Sequence, residues 1–97
     1  IGLLKREDLS NKDSYKTYFP HGVSHHLGLD VHDVGSKFTA FQEGMVLTCE
    51  PGIYIPNEGI GIRLENDILL TANGPIDLME NIPIEADEIE YLIQNRL

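Results

Sequence analysis

The sequence has little cysteine, little positive charge and no long apolar run. Cys49 is the one cysteine among 97 residues, so an internal disulfide is excluded and a reducing, cytoplasmic location is the default expectation. No apolar stretch approaches the ~20 residues that span a bilayer, and the first residues lack the pattern of a signal peptide. We therefore expect no membrane partner.

Basic residues are outnumbered, with seven lysines and arginines against 16 acidic residues and a net charge of −9. A surface of that sign repels phosphate, so nucleic acid is excluded as an expected partner. Most of the acidic excess is typical of a solvated surface. Glu50 and Glu65 are exceptions, because Glu50 ends an apolar strand pattern and Glu65 interrupts another.

The length allows one small domain. The chain begins with Ile1 rather than methionine, and we expect a neighbouring segment upstream of it in the natural protein.

All four histidines lie in the segment His-Gly-Val-Ser-His-His-Leu-Gly-Leu-Asp-Val-His-Asp, residues 21–33. Imidazole titrates near neutral pH and is the commonest metal ligand, so this clustering favours a chemical role over packing. Gly22 and Gly28 argue against a continuous helix, since each costs ~1 kcal/mol in a helix interior. The alternation of apolar and polar residues over 29–33 predicts a short strand or an extended run.

Two longer strand patterns follow. Residues 45–55 are mostly apolar or β-favouring, and residues 59–71 carry five aliphatic side chains at even positions, namely Ile60, Ile62, Leu64, Ile68 and Leu70. The turn composition of residues 56–59 predicts that the two strands form an antiparallel hairpin. A short strand over 76–79 and a terminal helix over 85–95 complete the pattern, so the predicted fold class is α+β.

Charged side chains interrupt the two predicted strands. Pro51 pushes Glu50 toward an extended backbone, and Gly52 accepts dihedral angles that other residues avoid, so the direction of the Glu50 carboxylate is fixed. Arg63 and Glu65 share one face of the second strand. A solvated sheet face would explain this pair, but charges between isoleucines are costly unless they are paired or coordinated.

The histidine segment, Glu50 and Glu65 together predict a divalent-metal site of hydrolytic type. Carboxylate-rich ligation favours ions such as Mn²⁺, and added imidazole also suits Zn²⁺, Fe²⁺ or Co²⁺. Two other hypotheses remain. One is a non-catalytic peptide-binding module, and the other is a small cupin-like barrel, whose closely spaced histidine pair the adjacent His25 and His26 do not match.

Three motifs stand in order: the histidine segment, Glu-Pro-Gly-Ile-Tyr at 50–54 and Gly-Ile-Gly-Ile-Arg-Leu-Glu-Asn-Asp at 59–67. They resemble the C-terminal half of the catalytic domain of the Xaa-Pro aminopeptidase and prolidase group of metallopeptidases. The resemblance implies the pita-bread fold, with residues 1–97 as one fragment of its curved antiparallel sheet and terminal helix. It also implies hydrolysis of Xaa-Pro bonds at peptide N-termini, with hydrolysis of Xaa-Pro dipeptides as the alternative.

The resemblance further implies a role for each site residue. His25, Glu50 and Glu65 would be metal ligands, with Glu65 bridging two ions and Glu50 also accepting a proton near the attacking water. His32 would stabilise the substrate carbonyl and the tetrahedral intermediate, and His21 would line the active site.

Arg63 and Tyr54 would support substrate binding, and His26 receives no role. The implied cofactors are two divalent ions, Mn²⁺ first, with Zn²⁺ or Co²⁺ as alternatives. The implied partners are peptides with proline in the second position.

In the resembled group, two aspartates from an upstream half of the domain complete the metal site. None of the aspartates of this chain stands in the matching context. We therefore expect the chain alone to bind metal weakly and to be inactive. Half of such a domain also exposes the apolar surface that should meet the other half, so we expect either a homo-oligomer, as a dimer or higher assembly, or marginal stability.

Overall fold

The computed structural model describes residues 2–95, with the side chain of Leu9 left out. The strands and the helix follow one another as β1 His26–Leu27, β2 Val46–Cys49, β3 Gly52–Ile55, β4 Ile60–Arg63, β5 Asn66–Thr71, β6 Gly74–Asp77 and α1 Ala86–Gln94. Short 3-10 helices cover Arg6–Ser10, Ser14–Thr17 and Pro56–Glu58.

Strands β2 to β5 form one long antiparallel hairpin that is interrupted on both arms. Strand β2 pairs with β5, and β3 pairs with β4 beyond the interruption. On the first arm the break falls at Glu50 and Pro51, where proline has no N–H to give to a ladder. On the second arm it falls at Leu64 and Glu65, and the Leu64 N–H donates to the Pro51 carbonyl at 3.1 Å. The hairpin prediction is confirmed, and each predicted strand is two shorter ones.

The strands form two sheets, one of four strands in the order β1-β2-β5-β6 and one of two strands, β3-β4. The short strand expected over 76–79 is observed slightly earlier as β6, and the terminal helix is observed as α1. The strand expected over 29–33 is wrong. Those residues form a loop that returns to β1, because the Asp33 N–H donates to the His26 carbonyl at 3.0 Å.

The centre of the molecule lies at the end of β2. Among the described residues, three side chains are buried: Leu47, Thr48 and Glu50, at 7%, 3% and 8% exposure. Two of these three are polar, although buried positions usually hold apolar side chains. The best-enclosed part of the fold therefore surrounds a carboxylate.

The β3–β4 hairpin has two faces of different character. Directly paired residues of antiparallel strands project their side chains to the same side. The register therefore sorts the hairpin into a site face, which carries Gly52, Tyr54, Gly61 and Arg63, and an isoleucine face, which carries Ile53, Ile55, Ile60 and Ile62. Across residues 2–95, no helix has the length and apolar character to cross a membrane.

Candidate metal centre

Three metal-competent side chains, His25, Glu50 and Glu65, meet beside the interruption of the long hairpin. One ligand atom from each lies within 4.8 Å of the corresponding atoms of the other two. His25 immediately precedes β1, Glu50 follows β2, and Glu65 precedes β5. Because β1 and β5 both pair with β2, the four-stranded sheet brings together groups that are up to 40 positions apart in the sequence.

The imidazole of His25 is oriented by its own neighbour. Its Nδ1 lies 2.9 Å from the His26 carbonyl oxygen, which only accepts hydrogen bonds, so Nδ1 carries a hydrogen. Nε2 then faces Glu50 Oε1 at 3.2 Å. With hydrogen on Nδ1 alone, Nε2 and that oxygen would face each other with lone pairs and repel. A hydrogen on Nε2 or a cation between the two atoms removes this repulsion. Holding Nδ1–H on a carbonyl and presenting Nε2 is the usual arrangement of a metal-ligating histidine.

The Glu50 carboxylate is nearly enclosed and has three partners. Oε1 accepts from Thr48 Oγ1 at 3.3 Å and faces His25, while Oε2 lies 3.4 Å from Arg63 Nη1. The Glu50 N–H donates to the Val23 carbonyl at 2.8 Å, which fixes the backbone. A buried ionised carboxylate requires such partners.

Glu65 supplies a second carboxylate from the exposed side of the group. Two carboxylates at this separation repel each other, and a divalent cation between them would remove that repulsion. One imidazole and two carboxylates form a donor set that divalent ions such as Zn²⁺ accept, since these ions bind histidine nitrogen and carboxylate oxygen alike. The residues present therefore fit a metal ion.

His32 lies next to His25, with the two ring centroids 4.4 Å apart. Its side chain is exposed, so it is accessible to a ligand entering from solvent. Arg63, on the site face, is half-exposed and contacts Glu50. Sequence reasoning placed Arg63 and Glu65 on the same side, and the structure brings both to Glu50.

His21 and Tyr54 form a pair of their own. His21 Nδ1 donates to the Gly22 carbonyl at 2.7 Å, so Nε2 is the acceptor for the Tyr54 hydroxyl at 2.7 Å. The Tyr54 N–H donates to the Tyr18 carbonyl at 2.9 Å. The phenol and the imidazole meet edge to face, with ring centroids 5.4 Å apart.

Two glycines of the site face leave room for that pair. A Cβ on Gly61 would lie 2.7 Å from Tyr54 Cδ1, and a Cβ on Gly52 would lie 3.0 Å from the same ring and 3.2 Å from His21 Nε2. Gly52 does not adopt a positive φ. The expectation that Gly52 is needed for an unusual backbone dihedral angle is therefore wrong. Gly52 instead leaves space for the Tyr54 ring and His21, because it has no side chain.

Sequence reasoning missed Thr48 and Gly61. Thr48 stands two residues before Glu50, and side chains two apart in a strand share a face. A polar residue at that place in an otherwise apolar strand was therefore a usable signal. The role of Gly61 depends on Tyr54 across the hairpin, and the strand pattern alone contains no sign of it.

The chain is similar to several known proteins. The family model of metallopeptidase family M24 matches residues 2–72. The Xaa-Pro aminopeptidase of Escherichia coli K12 is 40% identical over an alignment of 107 positions, which covers 96% of this chain and 24% of that protein. A Bacillus subtilis relative that is named as a dipeptidase is 42% identical over 81 residues, which cover 79% of this chain and 22% of that protein.

A solved structure of zinc-substituted E. coli aminopeptidase P in complex with product has a TM-score of 0.82 to this chain at 40% identity. The match covers 99% of this chain and 25% of that one, so the chain spans about a quarter of the length of these relatives. The predicted fold is confirmed, and the cupin-like barrel is wrong.

Proposed function

This chain belongs to metallopeptidase family M24, and from that premise we propose that the protein carrying it is a dinuclear-metal aminopeptidase that hydrolyses Xaa-Pro bonds at peptide N-termini. The observation that carries the proposal is the convergence of His25, Glu50 and Glu65 within 4.8 Å. The name of the E. coli relative, Xaa-Pro aminopeptidase, supports the choice of substrate.

His25 through Nε2, Glu50 and Glu65 would hold the ions. We propose Mn²⁺ as the native metal, with Zn²⁺ or Co²⁺ as alternatives, since carboxylates outnumber imidazoles in this donor set. When bound, such ions supply Lewis acidity that polarises the scissile carbonyl and acidifies a water molecule.

The other residues of the chain would handle the proton and the substrate. Glu50 has one oxygen against Arg63, and its carboxylate would accept the proton of the attacking water. His32, exposed beside His25, would donate to the substrate carbonyl as negative charge develops there. His21 and Tyr54, locked together at 2.7 Å, would form one wall of the substrate site.

We propose that two aspartates outside these 97 residues complete the centre, and that the present residues form one part of a single catalytic domain. Without those two anionic ligands the chain by itself would hold the ions weakly and would be inactive. We also propose a cytoplasmic location, from the lone Cys49, and a homo-oligomer, from the exposed isoleucine face.

A dipeptidase that cleaves Xaa-Pro is the second candidate. It is favoured by the Bacillus subtilis relative that bears a dipeptidase name. Both candidates use the same metal centre and differ in the length of peptide that the substrate site accepts.

The test is release of the first residue by the full-length protein loaded with Mn²⁺. A tetrapeptide with proline in the second position should be cleaved, and the matched peptide with alanine there should be cleaved far more slowly. Cleavage of the Xaa-Pro dipeptide alone would establish the second candidate. Peptide binding without release, in correctly folded protein that contains metal, would instead identify a non-catalytic binding module.

A further inference from the structure

Thr48 is the most enclosed of the side chains that the structure describes, at 3% exposure, and its hydroxyl makes two hydrogen bonds. Oγ1 accepts from the His25 N–H at 3.0 Å and lies 3.3 Å from Glu50 Oε1. We propose that Thr48 is a positioning residue, whose hydroxyl holds His25 and Glu50 in the arrangement that binds a cation. The inference deepens the proposed function and rests on the metal centre described there.

The direction of the two hydrogen bonds follows from the atoms involved. A hydroxyl has one hydrogen and two lone pairs, and an ionised carboxylate only accepts. The backbone N–H of His25 occupies one lone pair of Oγ1, so the hydroxyl hydrogen points to Glu50. The result is a chain of bonds from the His25 backbone through Thr48 to the Glu50 carboxylate.

The oxygen that receives this hydrogen is the one that faces the His25 ring. Glu50 Oε1 lies 3.2 Å from His25 Nε2, whereas Oε2 faces Arg63. The hydroxyl therefore fixes which carboxylate oxygen turns toward the imidazole. The Thr48 N–H also donates to the His25 carbonyl at 2.9 Å, so both backbone polar groups of His25 are bonded to this one residue.

Thr71 provides a matched comparison within the same fold. Its Oγ1 also accepts a backbone N–H, from Asn73 at 3.2 Å, and donates to a backbone carbonyl, that of Gly74 at 2.7 Å. Asn73 lies in the turn between β5 and β6 and Gly74 is the first residue of β6, so both partners are outside the metal-competent group. Removing the Thr71 hydroxyl deletes a similar pair of bonds without touching a ligand.

The experiment compares the full-length wild type with Thr48→Val, Thr48→Ser and Thr71→Val by calorimetric titration with Mn²⁺. Valine keeps the shape of threonine and lacks the hydroxyl, while serine keeps the hydroxyl. We expect Thr48→Val to weaken Mn²⁺ binding about 10- to 100-fold, as loss of a group that orients a ligand does. We expect Thr48→Ser to stay within about 3-fold of the wild type, because its donor is retained, and Thr71→Val to bind as the wild type does.

Two further measurements separate positioning from folding. The visible absorption of the Co²⁺-loaded protein reports ligand geometry and should change in Thr48→Val and return to the wild-type form in Thr48→Ser. Thr48→Cys keeps the approximate size and has only a weak donor, so its Mn²⁺ affinity should fall between those of the serine and valine variants. The cysteine variant also keeps the test decisive if the valine variant does not fold.

Wild-type affinity in Thr48→Val or in Thr48→Cys would overturn the proposal and leave the metal centre intact. Equal losses in Thr48→Ser and Thr48→Val would also overturn it, because the γ-methyl group and not the hydroxyl would then matter. A loss of Mn²⁺ affinity in Thr71→Val as large as that in Thr48→Val would show that both losses come from general destabilisation, and would overturn the proposal. If the wild type itself bound no Mn²⁺, the proposed function would fail first, and this inference would fail with it.

Discussion

The two faces of the β3–β4 hairpin differ sharply, although they belong to the same two four-residue strands. The site face carries Tyr54 and Arg63 beside two glycines, and its side chains reach His21 and Glu50. The isoleucine face carries four isoleucines at paired positions and lies on the opposite side of the hairpin from Arg63, which contacts Glu50. Ile62 on that face is 63% exposed.

The difference shows that the contacts of Tyr54 and Arg63 depend on the register of this short hairpin. A slip of β4 by one residue would turn its side chains to the opposite face, place Arg63 on the same side as Ile53 and Ile55 and remove it from Glu50. The turn at Gly59 fixes the register, because its φ of +64° ends the 3-10 helix in a left-handed conformation that glycine adopts at no steric cost. Substitutions on the site side should therefore alter chemistry, and substitutions on the isoleucine face should not.

The largest effect is expected at Glu65, which adjoins the site face at the hairpin interruption. Glu65→Gln removes the charge of one of the three metal-competent side chains. Loss of a group that only orients a ligand costs about 10- to 100-fold in metal affinity, so loss of this ligand should weaken Mn²⁺ binding by more than about 100-fold. Calorimetric titration of the full-length protein with Mn²⁺ measures this affinity.

Glu58→Gln is the matched control, because Glu58 lies exposed in the turn of the same hairpin. It should bind Mn²⁺ as the wild type does. Wild-type affinity in Glu65→Gln would remove Glu65 from the metal centre.

A smaller effect is expected when bulk is added to the site face. Gly61→Ala places a Cβ 2.7 Å from Tyr54 Cδ1, so the ring must move and its hydrogen bond to His21 is lost. One such bond is worth about 1–2 kcal/mol, which corresponds to roughly a 10-fold lower kcat/KM for an Xaa-Pro peptide. Steady-state kinetics measures this loss.

Tyr54→Phe removes the same hydrogen bond without adding bulk, so its loss should be similar. Because both changes delete one interaction, their effects should not add in the double variant. Fully additive losses would mean that Gly61 acts through something other than the Tyr54–His21 pair.

The smallest effect on chemistry is expected on the isoleucine face. The pair of substitutions Ile60→Lys and Ile62→Lys should leave Mn²⁺ affinity within about 2-fold of the wild type, because surface changes away from a site act weakly. The same pair should abolish self-association of the 97-residue chain, which exposed apolar area promotes. Sedimentation velocity tests the second part. Ile76→Lys, on β6 of the other sheet, is the control, and persistent association of the double variant would show that another surface holds the oligomer.

Local periodicity was sufficient to predict much of the fold. The hairpin and the terminal helix follow from side-chain spacing, and both are observed. The interruption at Leu64 was not predicted, because it depends on Pro51 in the opposite arm rather than on its own neighbours. The strand expected over 29–33 failed for a related reason. Its alternation belongs to a loop whose backbone bonds return to His26.

The candidate site likewise contains residues that the sequence predicts and residues that it does not. The metal-competent side chains, such as Glu50 and Glu65, were evident from their type and their place in apolar strands, and the structure brings them together. The residues that hold them in place were not evident. Thr48 acts through contacts with His25 and Glu50, and Gly61 acts by leaving space for Tyr54. Such roles depend on distances between segments, which a single sequence does not contain.

The central claim is that His25, Glu50 and Glu65 hold one metal centre, and anomalous diffraction tests it most directly. Crystals of the full-length protein grown with Mn²⁺ should show an anomalous peak at the manganese edge. The peak should lie at direct coordination distance, about 2.0–2.3 Å, from His25 Nε2 and from a carboxylate oxygen of each glutamate. A manganese peak elsewhere, with His25 Nε2 still facing Glu50 directly, would contradict the claim.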